Sequence, residues 1–349
     1  SSSSSSSFSS SSSSSLFLLS KRTMSSFLQQ QEHLQQESQE SQEKDLLIES
    51  NLNGLELASN YIINGQLLAF PTETVYGLGA NALNERAVLS IFEAKGRPLT
   101  DPLIVHVPDI NKALNLISTD TITESVFQLL GNQFWPGPLT IIAKAASCIP
   151  SIITANTGFV GIRIPAHPLA LEFLRKCNLP VAAPSANKFG HVSPTRAQHV
   201  LDDLGGKGVH VLNGDGPEYE KYTCQHGIES TILKIDQLSS KIYILRQGAI
   251  SQPEIEQLLQ SSININNWSV EAIHRAVKHS TSSLPSSQQE ELKNNEQTQN
   301  QEQEQIGEVA PGQLLTHYAP YVPCTVINSI QIRSTSNLSL LTLPSFSLL

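Results

Sequence analysis

An α/β fold is predicted over residues 51–260, and three features of the sequence carry that prediction. Short unbroken apolar runs such as "LLAF", "LIVHV" and "LTIIA" have the length and composition of strands buried on both faces. Between them lie stretches whose apolar residues recur at helical spacing and whose ends carry capping residues. The two kinds alternate along the chain, as they do where helices flank a sheet.

In "LELASNYIING", Leu55, Ala58, Tyr61 and Ile62 share one helical face and Gly65 is placed to end the helix. A strand over 67–70 follows and stops at Pro71, which has no N–H for a ladder. "NERAVLSIFEAKG" reads as a helix capped by Asn84 and closed by Gly96. "PLIVHV" is a strand, and the stretches near 110–117 and 123–134 read as helical. "LTIIAKA" and "VGIRIP" are strands, "HPLALEFLRKC" is an amphipathic helix, and "PVAAPSAN" holds a short strand and a loop. "SPTRAQHVLDDLGG" reads as a helix with Ser193 as cap, Pro194 in its first turn and Gly205 at its end. "GVHVLNGD", "ESTILKI" and "IYILRQG" supply three later strands.

The flanks differ in composition. Residues 1–50 are Ser- and Gln-rich, read as disorder or a targeting segment, and 261–309 read as a low-complexity linker. Glu32, Glu37, Glu40, Glu43, Asp45 and Glu49 face one base, Lys44; Glu290, Glu291, Glu296, Glu302, Glu304 and Glu308 likewise face Lys293. These two segments account for the whole net charge of −9, so the core is near neutral. A near-neutral core without a Lys/Arg stripe speaks against nucleic acid as its main partner. The acid-free serine-rich start has the composition of an organelle transit peptide and equally that of low-complexity or upstream sequence. A cytoplasmic location is the expectation, with mitochondrial import the alternative. No stretch has the apolar length of a membrane span. Cys148, Cys177, Cys224 and Cys324 are widely spaced, which fits free thiols better than a disulfide framework or a metal site.

Polar residues gather next to the strands. "FPTETVYGLG" sets two threonines, a glutamate, a tyrosine, Gly77 and Gly79 directly after one apolar run. Hydroxyls and glycines at a strand end are a common way to build a small-molecule site. Lys95 and Arg97 stand at a helix C-terminus, favourable there for dipole reasons and equally suited to phosphate. His106 lies in an apolar strand, where a satisfied core histidine is the simpler reading. Arg163 has apolar neighbours and needs an anionic partner, with Glu73, Glu229 or a bound carboxylate as candidates. Ser185, Asn187, Lys188 and Ser193 share a loop ahead of a helix, a position that binds anions. The sequence carries no phosphate-binding Gly-Lys loop and no dinucleotide fingerprint.

Taken in order, "FPTETVYGLGANA", "EAKGRP", "PLIVHV", "FWPGPLTII", "VGIRIPAHP", "APSANKFGHVSPT" and "ESTILKI…ILRQGAI" resemble the threonylcarbamoyl-AMP synthase family. The match covers about 60–250. "APGQLLTHYAP" resembles the interdomain motif of the longer members, so 310–349 would be that motif and a truncated C-terminal domain. The resemblance implies a YrdC-like twisted mixed sheet flanked by helices, then a linker and the start of a small second α/β domain. It implies a nucleotidyltransferase that joins L-threonine, bicarbonate and ATP into threonylcarbamoyl-AMP and pyrophosphate. The product would pass to the machinery that transfers threonylcarbamoyl to tRNA; direct tRNA binding is left open.

By the same resemblance Lys95, Arg97, Ser185 and Asn187 form the K-x-R and S-x-N motifs. Thr74, His106, Arg163 and Ser230 would hold threonine, with Arg163 on its carboxylate. Arg97, Asp101, Phe159, Ser185, Ser193, Arg246 and Tyr318 would line the ATP site, and Mg2+ would arrive on the ATP phosphates. Two positions depart from the family pattern: Phe159 stands where threonine is frequent, and Asp101 where asparagine or histidine is. A non-enzymatic module for double-stranded RNA or tRNA is the alternative reading. A carbamoyl-transfer enzyme on this fold would need zinc-finger cysteines, which the sequence lacks.

Overall fold

A computed structural model describes residues 46–262 and 267–273. Eleven strands form one mixed sheet in the order β1-β8-β2-β3-β7-β4-β6-β5-β9-β10-β11. In chain order they are Leu47–Ile48, Leu68–Phe70, Gly77–Asn81, Ile104–His106, Leu139–Lys144, Phe159–Arg163, Val181–Ala182, His210–Leu212, Thr231–Asp236, Lys241–Arg246 and Ser269–Ala272. The α-helices among the described residues are α1 Leu52–Ile63, α2 Glu85–Lys95, α3 Ile110–Leu114, α4 Thr121–Phe134, α5 Pro168–Cys177, α6 Ala197–Leu204 and α7 Gln252–Gln260.

The apolar runs read as doubly buried strands are so. In β2, Leu68 and Phe70 join a cluster with Leu55, Ile62, Leu169 and Phe173 of α1 and α5, while Ala69 joins the larger cluster on the other face. That larger cluster takes Val88, Ile91, Phe127, Leu130, Val200 and Ile255 from α2, α4, α6 and α7. Alternation along three residues thus binds both layers to one strand.

Capping explains most helix ends. Asn84 Oδ1 accepts from the amides of Arg86 and Ala87, and Gly96 closes α2 in the left-handed region at φ 63°. Helix α4 starts at Thr121, two residues earlier than the pattern predicts, because Asp120 accepts from Ile122 and Thr123. Helix α1 ends with Asn64 as its C-cap, and Gly65 follows at φ 77°.

Two expectations change. Ser193 does not cap α6: the helix starts at Ala197, whose amide is accepted by Asp215 Oδ2 at 2.8 Å. Residues 193–195 stay irregular because Tyr76 N donates to Pro194 O at 2.9 Å, so Pro194 is outside the first turn. The sheet also reaches beyond 51–260. Leu47 and Ile48 pair with Val211 and Leu212, and Ser269–Ala272 runs parallel to β10. The expected segment 310–349, with Tyr318, lies outside the described residues.

Candidate active site

Strand ends converge on one cleft. Thr72, Thr74 and Tyr76 follow β2, His106 closes β4, Arg163 closes β6 and Ser185 follows β7. Ser230 precedes β9 and Arg246 closes β10. His106 and Arg163 are register neighbours on parallel strands. The cavity between these groups has a volume of about 40 Å³.

Arg163 is the centre of one half. It donates to Glu73 Oε1 at 2.6 Å and to Thr74 Oγ1 at 2.9 Å, and both Arg163 and Glu73 are almost fully buried. Glu73 Oε2 accepts from Ala166 N, so the carboxylate is fixed from two sides. Of the partners the sequence left open, this structure pairs Arg163 with Glu73. Thr72 hydroxyl donates to Val75 O at 2.6 Å. Thr74 hydroxyl must therefore donate to Thr72 Oγ1 while it accepts from Arg163. Next to them His106 is buried, and its Nδ1 has no hydrogen-bond partner among the described residues. Burial first, then the Arg163 charge, hold its pKa down at about 3, so the imidazole is neutral at physiological pH.

The other half is built on two further ion pairs. Arg97 pairs with Asp101 at 2.9 Å and donates to the carbonyls of Asp101 and Pro102. Asp101, fully buried, is thus charge-matched inside the protein. Arg246 is ion-paired with Glu229, which also accepts from Ser193 Oγ at 3.2 Å. Arg246 Nη2 reaches the Ser230 carbonyl at 3.0 Å, and Ser230 Oγ lies 2.8 Å from Thr140 Oγ1.

Lys95 and Asn187 shape this half rather than line it. Lys95 Nζ donates to the carbonyls of Ser185, at 2.6 Å, and of Asn187. Its ammonium therefore holds the loop after β7 instead of its own helix end. Burial, helped by Arg97, lowers its pKa to about 7. Asn187 Nδ2 donates to the carbonyls of Lys188 and His191, closing the turn that follows. Phe159, half-buried at the start of β6, carries Lys234 Nζ over its ring at 3.9 Å.

Eight of the named candidates therefore meet in or beside one cleft: Thr74, Arg97, His106, Arg163, Ser185, Ser193, Ser230 and Arg246. Thr72 and Tyr76 line it as well, and the polar run after β2 was their only signal in the sequence.

Fold and cleft together define a class: mixed α/β domains that gather arginines and hydroxyls at strand ends. The chain belongs to the Sua5/YciO/YrdC family, whose model, described as telomere recombination, matches residues 60–248. It is 40% identical over 205 residues to the threonylcarbamoyl-AMP synthase of Pyrococcus abyssi, covering 59% of this chain and 57% of that protein. It is 43% identical over 204 residues to the threonylcarbamoyl-AMP synthase of Bacillus subtilis, covering 58% and 55%. The chain thus spans little more than half the length of these curated relatives. The structure of P. abyssi Sua5 complexed with L-threonine superposes with a TM-score of 0.61 at 33% identity, covering 79% of this chain and 68% of that one. Escherichia coli YciO, at 19% identity and TM-score 0.51, covers 60% of this chain and 98% of its own and shares the fold. No helix among the described residues is long and apolar enough to cross a membrane.

Proposed function

We propose that this chain is an L-threonylcarbamoyladenylate synthase. The observation that carries the reading is the meeting of Thr74, His106 and Arg163 with Arg97, Ser185, Ser230 and Arg246 in one cleft. The similarity to threonylcarbamoyl-AMP synthases at about 40% identity supports it, as does the likeness to P. abyssi Sua5, described in complex with L-threonine.

Arg163 binds the threonine carboxylate, with the Thr74 hydroxyl and neutral His106 beside it. A neutral imidazole next to Arg163 adds no second positive charge, so it orients a ligand by hydrogen bonding. The threonine amine takes up bicarbonate, losing water, to give a carbamate. A carbamate oxygen attacks the α-phosphorus of ATP, and the bond to pyrophosphate breaks. Arg97 and Arg246 lie where they can meet charge on the phosphates, and Ser185 and Ser193 offer hydroxyls to the nucleotide. No residue is needed as a covalent nucleophile; positioning and electrostatics carry the step. The described residues hold no cluster of three or more His, Cys, Asp or Glu suited to a metal. Asp101 and Glu229 already pair with arginines, so Mg2+ would come on the ATP phosphates rather than in a site built by the protein. The product is consumed by transfer of its threonylcarbamoyl group to tRNA.

Pyrophosphate release by the full chain, with ATP, magnesium, threonine and bicarbonate omitted in turn, tests the proposal. Release that needs both threonine and bicarbonate is expected, and Arg163→Ala should abolish it with the far-UV spectrum intact. Release that needs neither would be ATP cleavage without the synthase reaction and would overturn the proposal, and salt-sensitive RNA binding without turnover would favour the RNA-binding reading.

A further inference from the structure

Tyr76 is fully buried, yet every polar atom it owns is engaged with a different part of the site. Its amide donates to Pro194 O at 2.9 Å, and its carbonyl accepts from Ala186 N at 2.8 Å. These two bonds grip the loop 185–196 near its start and its end. Gly77 forms a bridge with Ser185 beside the bond from Ala186. The phenol donates to Asp215 Oδ1 at 2.9 Å and accepts from Gly214 N at 3.0 Å. The second oxygen of Asp215 accepts from Ala197 N at 2.8 Å, the first residue of α6. A single ring therefore connects the strand end after β2, the loop with Ser185, Asn187 and Ser193, the start of α6 and the 213–215 turn.

We infer that Tyr76 and Asp215 are positioning residues that set loop 185–196 for the nucleotide. The loop has few apolar anchors: among its members only Ala186 and Pro194 are buried apolar residues. Its geometry therefore rests on hydrogen bonds from elsewhere, of which the Tyr76 backbone supplies two and Lys95 two more. A buried acceptor–donor chain of this kind costs the full desolvation of its members when one link is removed. Gly214 also has no room to yield: a Cβ there would stand 2.5 Å from the Pro71 ring and 3.1 Å from the Tyr76 hydroxyl. The phenol's own acidity takes no part in catalysis, because burial and the Asp215 charge push its pKa far above the usual range and keep it protonated.

The inference rests on the reading that ATP binds this cleft, and the test separates the two. Tyr76→Phe and Asp215→Asn are made in the full chain, and the dissociation constants of ATP and of L-threonine are measured separately by calorimetry. Both variants should weaken ATP about tenfold and leave threonine within about twofold. The double variant should be no worse than either single one, as expected for one shared link. Equal loss of both ligands would mean general unfolding of the cleft and would overturn the assignment, as would no change in either. Amide hydrogen exchange gives a readout that needs no ligand: Ala186 and Ala197 should exchange faster in both variants. Unchanged exchange overturns the inference even if ATP fails to bind the unaltered chain, an outcome that by itself counts only against the synthase reading.

Discussion

Lys95 reaches out of its own helix to donate to the carbonyl of Ser185 at 2.6 Å, a contact between residues ninety positions apart. The ammonium is buried, and its pKa falls to about 7 from an ordinary 10.5. Below pH 7 both folded and unfolded chains carry the proton, so the burial cost is fully present. Between about 7 and 10.5 the unfolded chain keeps a proton that the folded chain has lost. Stability should therefore rise with pH in that window, by at most about 1.4 kcal/mol per unit. Urea titrations of the chain and of Lys95→Met from pH 7 to 9 check this; a constant difference between them would contradict it.

Glu73 and Arg163 form a buried pair in which loss of one member leaves the charge of the other uncompensated. Glu73→Ala strands a guanidinium at 4% exposure and should cost about 3–5 kcal/mol. Glu73→Gln keeps an acceptor for Arg163 and should cost less. Chemical denaturation midpoints of the two variants give the comparison.

His106 should stay neutral well below the pH at which exposed imidazoles titrate, because its pKa is held at about 3. Its ring resonances in NMR spectra should stay fixed between pH 7 and 5 while exposed histidines shift. Movement with a midpoint above pH 5 would mean that burial and Arg163 do not govern it.

Gly248 lies just beyond β10 against the segment that carries Ser230. A Cβ there would stand 2.4 Å from both Glu229 O and Thr231 N, closer than any backbone allows. Gly248→Ala should cost about 1–3 kcal/mol through overpacking and also weaken ligand binding by displacing Ser230 and Arg246. A stable variant with unchanged binding would show that the segment can move aside.

What the sequence made legible follows contact distance along the chain. The buried strands, the Asn84 cap and the Gly96 stop depend on neighbours within a few residues, and these agree with the structure. The cap of α6 comes from Asp215, beyond the reach of any local rule, whereas the local pattern points to Ser193. Local spacing leaves Lys95 open between a dipole partner for its own helix and a phosphate ligand, because its acceptors, Ser185 O and Asn187 O, lie on another strand's loop. Strand β1 is two residues long inside an acidic, polar context, too short for alternation to register. The site residues surfaced as a set because hydroxyls and arginines beside apolar runs are rare without a reason, yet the pairing of Arg163 with Glu73 needed coordinates.

The three arginines of the cleft each come with an internal carboxylate: Glu73, Asp101 and Glu229. Such a cleft works as an ion exchanger. An incoming anion gains an arginine only as far as a protein carboxylate releases it, so much of the Coulomb energy cancels and the field reaching into solvent is weak. Selectivity then belongs to ligands that deliver several negative groups at the right spacing, since a lone anion displaces one partner and leaves a buried carboxylate behind. Inorganic phosphate or sulfate should accordingly compete poorly, and capture should depend little on ionic strength compared with an open basic surface.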